Sequence, residues 1–186
     1  MQPIPAPDPG EVPRRYAPQR ALPPYRFVPG WELHPTADPT GHSYGQPQSE
    51  VLPFAPEAWA GCEEYLFGVD LFNQRYYWEA HEAWELVWHA CDKARPQGLF
   101  VQGLIQITAA LLRWHMGTER GARSLYASAM QHLAPARREY PAGFMGLPLE
   151  AWCRDVEACF AALPPAGVPR GESHPRLPVI SLQFEP

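Results

Sequence analysis

No stretch of this 186-residue chain is apolar for long enough to cross a bilayer. The longest, Leu99 to Leu112, is interrupted by Gln102 and Gln106 and falls short of the ~20 residues a membrane helix needs. The opening, Met1-Gln2-Pro3-Ile4-Pro5-Ala6-Pro7, has no apolar run, so a secretory signal is not expected and the cytoplasm is the expected compartment. Net positive charge is lacking too: the formal charge is −5 and the pI about 5.8. Binding nucleic acid requires a basic surface that neutralises phosphates. The groups Arg14-Arg15, Arg120/Arg123 and Arg137-Arg138 are small, so neither nucleic acid nor membrane is an expected partner. None of the four cysteines (Cys62, Cys91, Cys153, Cys159) forms a Cys-x-x-Cys pair, and buried reduced thiols are expected. No strand pair and no internal repeat stands out.

What is present is a large apolar and aromatic fraction, 46% and 12%, with seven Trp, enough to bury a core. The 24 prolines are uneven: twelve lie within residues 1–47 and six within 164–186. The pattern divides the chain into a Pro-rich irregular arm (1–53), a helical bundle (54–163) and an extended tail (164–186). The arm carries Tyr16, Leu22, Tyr25, Phe27, Val28, Trp31 and Leu33, too many apolar residues for a purely solvated segment, and is expected to dock in part. In the tail, Leu177-Pro178-Val179-Ile180-Ser181-Leu182 is an extended apolar strip.

The expected fold is a compact all-α bundle of four to five helices. Helical periodicity places them near 56–73, 76–91, 97–116, 119–134 and 149–163. Pro56 suits a first turn, and Arg95-Pro96 ends the second helix. The third is apolar almost all round and so buried on most sides, except for one stripe holding Gln102, Gln106 and Arg113.

The chemistry concentrates in the second helix. At about 100° per residue, His81, Glu82, Glu85 and His89 share roughly a third of its circumference. Tyr77, Ala80, Trp84, Val87 and Cys91 lie opposite. No Lys or Arg occurs between Arg75 and Lys93, whereas an ordinary solvated face mixes acids with bases. Acids and imidazoles without a counter-cation furnish a divalent-metal or acid/base site. Water or neighbouring helices would equally serve these groups. The signature His-Glu-x-x-His is also incomplete, because Glu85 stands where the second imidazole would be. The Gln102/Gln106/Arg113 stripe is the expected counterpart, since one stripe lacks cations and the other carboxylates. A loop with His34, Asp38 and His42, stiffened by Pro35 and Pro39, is a candidate source of the missing imidazole. Turn capping is the plainer role for that loop.

Taken in order, Leu71-Phe72-Asn73, Glu79-Ala80-His81-Glu82 with Trp84-Glu85 and Trp88, Gln102-Gly103-Leu104-Ile105-Gln106 with Ala109-Ala110, then Gly117 and Gly121-Ala122 resemble the small all-helical family catalogued as domain of unknown function 309. The resemblance covers about residues 65–135. It implies a compact all-α bundle like those of bacterial members, and it brings no catalytic residues. Arg75 departs from the family pattern, which often has Gly in that interhelical turn.

Two functions fit these residues. One is a ligand- or partner-binding module built on a His/Glu/Gln polar network of His81, Glu82, Glu85, Gln102, Gln106 and Arg113. Its excess of tryptophan suits a homo-oligomer or protein partner. The other is a metal-dependent or acid/base hydrolase using His81, Glu82 and Glu85. A divalent metal is the cofactor such a set would take, with His34 and His42 as further candidate ligands. No nucleophile motif, phosphate loop or complete metal triad decides for the enzyme.

Overall fold

Among the described residues, hydrophobic periodicity at helical spacing becomes five α-helices: α1 (Glu63–Asn73), α2 (Tyr77–Ala90), α3 (Pro96–His115), α4 (Glu119–Glu139) and α5 (Leu149–Ala162). The computed structural model describes residues 4–8, 10, 13–47, 49–163 and 176–184. Residues 164–175 of the expected tail lie outside the described residues. Among the described residues there is no strand, only an isolated bridge between Phe144 and Leu147. The protein is an all-α bundle, as expected. α2 packs on α1 and α3, α3 on α4, and α4 on α5.

Two helices differ from the expectation. The first is divided: Pro56–Gly61 forms a 3-10 turn, and Cys62, extended at ψ 96°, separates it from α1. The fourth runs five residues past its expected end and contains Pro135. That proline removes one intrahelical donor, but the last turn is held from outside. Ala136 is fully buried, and Arg137 reaches Glu150 and Glu157 of α5 at 2.9 and 3.4 Å.

The core is built on aromatic rings. Trp84 of α2 is fully buried and donates its indole N–H to the Tyr65 carbonyl at 3.2 Å. It lies so close to Gly68 that any side chain there would collide with the indole. Trp152 is buried as well, and the other five tryptophans are partly buried against the same core. The tryptophans therefore serve the bundle. The large exposed apolar residues are Leu33, Tyr44, Leu52, Tyr140 and Phe184.

Arm and tail share this core. Ile4, Ala17, Phe27 and Val28 of the arm and Ile180 and Leu182 of the tail are buried. Side chains of α1 hold Ala17 and Ile180 by their backbones. Asp70, 2% exposed, accepts the Tyr16 and Ala17 backbone N–H groups at 2.7 and 2.9 Å and the Arg15 guanidinium at 3.3 Å. Asn73 donates to the Ile180 carbonyl and accepts its N–H, both at 2.8 Å. Arg20 pairs with buried Glu64 at 2.7 Å. In the turn to α2, Arg75 adopts φ 63°, the left-handed conformation that glycine takes without strain. Its guanidinium donates to the carbonyls of Pro5 and Ala6 at 3.3 and 3.4 Å, an anchor that glycine would lack.

Asp70→Ala should strip two arm amides and a guanidinium of one buried acceptor. The expected loss is about 3 kcal/mol in a urea melt. A variant within about 0.5 kcal/mol of wild type would show that the arm is not held through this carboxylate.

Candidate functional site

α2 divides its polar residues between two directions. Glu79 shares a face with Tyr76, Ala83 and Val87, all buried, and points into the protein. His81, two residues on and about 200° around the helix, points the other way, Glu85 lies towards the same side, and Glu82, about 60° from Glu79, stands at the edge between the two directions. The side chains of His81, Glu82 and Glu85 are 28%, 40% and 41% exposed.

On the outward side, His81 Nδ1 lies 3.3 Å from Glu82 Oε1 and Nε2 lies 3.6 Å from Glu85 Oε1. One ligand atom from each residue lies within 4.8 Å of the others. Among the described residues this is the one grouping of three or more His, Cys, Asp or Glu side chains able to hold a metal ion together. Burial, the largest influence on His81, favours its neutral form. The hydrogen bond to Glu82 and the charges of Glu85 and Glu82 outweigh it, so the His81 pKa rises above the usual 6.5. His89 is exposed and takes no part.

The expected counterpart on α3 does not meet this cluster. Arg113 is exposed and forms no ion pair with Glu82 or Glu85. Gln106 instead meets His132 of α4, with Oε1 2.9 Å from Nδ1. Gln102 is half-buried, and no hydrogen bond or ion pair joins it to His81, Glu82 or Glu85. The polar network expected across α2 and α3 is therefore two separate groups.

The loop imidazoles also go elsewhere. His34 accepts from the backbone N–H groups of Thr36 and Ala37, both at 3.3 Å, and packs against Phe27 and Trp78. Asp38 accepts from the Thr40 hydroxyl and N–H, which hold its carboxyl below the ordinary range. Both residues cap turns of their own loop. His42 Nε2 lies 3.4 Å from Glu79 Oε1, on the inward side of α2. A shared site of His34 or His42 with His81 is not formed.

The residue that sequence reasoning passed over is Glu79. Its carboxylate, 5% exposed, accepts the Phe27 backbone N–H at 2.9 Å and faces His42, while Oε2 is buried without a partner. The available signal was its alignment with Ala83 and Tyr76. A single carboxylate on an apolar stripe needs a partner from another segment.

The geometry defines an all-helical domain with a half-exposed imidazole–dicarboxylate patch on α2. Residues 65–125 match the family model described as Domain of unknown function (DUF309). The match covers most of α1, all of α2 and α3 and the first turns of α4. It ends at residue 125, short of the 135 expected from the motifs, and includes the whole patch. No curated protein matches the chain. Among the described residues no helix is long and apolar enough to cross a membrane.

Glu79→Ala should cost about 1–3 kcal/mol, by orphaning the Phe27 amide and His42. Glu85→Ala should stay within about 0.5 kcal/mol of wild type; denaturant melts of both compare the two directions. In the metal-free protein, an NMR titration should place the His81 pKa above 6.5, and Glu82→Gln should lower it. Because the folded value is the higher one, the His81 contribution to stability is full below pH 6.5 and fades as pH rises through the folded pKa. A wild-type pKa at or below 6.5 would contradict this.

Proposed function

We propose that the protein is a ligand-binding helical module and that His81, Glu82 and Glu85 form its binding site for a divalent metal ion. The observation that carries this reading is the convergence of one imidazole and two carboxylates within 4.8 Å on a helix without lysine or arginine. Such a nitrogen–oxygen donor set suits zinc or manganese. Three protein donors leave coordination positions open, and the patch is accessible enough to fill them from solution. A neutral imidazole is the ligand, so affinity should rise with pH through the His81 pKa.

A metal-dependent or acid/base hydrolase using the same three residues stands second. The raised His81 pKa favours it, because it brings the imidazole nearer to neutral working pH. Against it, the three side chains are 28%, 40% and 41% exposed, whereas acid/base chemistry gains from a site closed to water.

Calorimetric titration of the chelator-treated full chain with zinc chloride and manganese chloride tests the proposal. The expected result is one saturable site, weakened roughly tenfold or more by His81→Ala and by Glu85→Gln. Absence of binding, or equal affinity in wild type and variants, would overturn it.

A further inference from the structure

A different part of the molecule holds a second candidate site. A cleft of about 680 Å³ opens between the 3-10 turn, the α4–α5 connection and the tail, within the ordinary size of small-ligand sites. Four aromatic residues line it: Trp59, Tyr140, Phe144 and Phe184. They stand in two pairs, with Trp59 and Phe184 centroids 4.8 Å apart and Tyr140 and Phe144 centroids 4.6 Å apart. Tyr140 and Phe184 are 38% and 52% exposed, an arrangement that spends aromatic surface on water. Among the described residues that line it, Glu57 is the only carboxylate and there is no Lys, Arg or His.

The backbone around the cleft is fixed at some cost. Met145 adopts φ 49°, a left-handed conformation that strains a residue with a side chain. It is held by the Tyr65 hydroxyl, which donates to the Met145 carbonyl at 2.9 Å. Next to it, Gly146 (φ 75°) packs so closely on Trp59 that only glycine fits. The Gln183 N–H donates to the Gly146 carbonyl at 2.7 Å, which seats the strip carrying Phe184. Strain of this kind gathers at binding sites, where surrounding structure enforces it.

We propose that this cleft binds an organic cation of the alkylated-ammonium class. The ring faces would supply cation–π attraction, and Glu57 the opposite charge at the rim. A neutral ligand of the same shape would gain only the apolar contact. This selectivity separates the proposal from a merely greasy groove.

Calorimetry on the full chain tests it with choline and its neutral isostere 3,3-dimethylbutan-1-ol. Choline should bind saturably, and the isostere at least several-fold more weakly. Glu57→Gln and Tyr140→Leu should each weaken choline by roughly 2- to 30-fold, the range of one cation–π or rim-charge contribution. Circular dichroism checks folding of Tyr140→Leu; Glu57 is exposed, so Glu57→Gln keeps the test valid if the other variant unfolds. Equal binding of the two ligands, no choline heat at tens of millimolar, or unchanged affinity in Glu57→Gln would overturn the proposal.

Discussion

A buried carboxylate must find donors, and in this protein the donors for Asp70 lie more than fifty residues away in the arm. Asp70 accepts two consecutive backbone N–H groups and a guanidinium while almost wholly removed from water. An unpaired ionised carboxylate in that place would cost several kcal/mol, so α1 and the arm stabilise each other. The same logic repeats along α1 and α2: Glu64 with Arg20, Asn73 with Ile180, Glu79 with Phe27. These polar anchors set the position of the irregular segments, and the apolar residues beside them, Ala17, Phe27, Val28 and Ile180, supply the burial.

This explains what was legible in the sequence and what was not. The helices could be read because periodicity is local: α2, α3 and α5 lie within a few residues of their expected spans. The resemblance carried by Glu79–Glu82 and Gln102–Gln106 could be read for the same reason, and the family match includes both. The division near Cys62 and the passage of α4 through Pro135 depend on contacts from other segments, such as Arg137 with α5, which no local pattern records. Pairings between distant segments were least legible. Complementary residue types suggested that Gln106 and Arg113 would meet Glu82 and Glu85. The structure gives Gln106 to His132 and leaves Arg113 exposed.

The three residues of the patch were visible as a stripe, because His81, Glu82 and Glu85 share a face of one helix. Their geometry as a converging group depends on rotamers that the sequence does not specify. Glu79 was hidden for the opposite reason. It sits in the same motif but turns inward, and its partner is the backbone of Phe27, which has no residue-type signature. One short motif thus supplies an inward carboxylate that secures the arm and, beside it, half-exposed acidic and imidazole side chains.

Native-state hydrogen exchange reads the interdependence of arm, tail and bundle most directly. The account predicts that the Tyr16, Ala17, Phe27 and Ile180 amides, each bonded to a buried side chain of α1 or α2, exchange slowly, with protection near that of the α1 backbone. Exchange of these four amides at free-chain rates, while α1 stays protected, would contradict it.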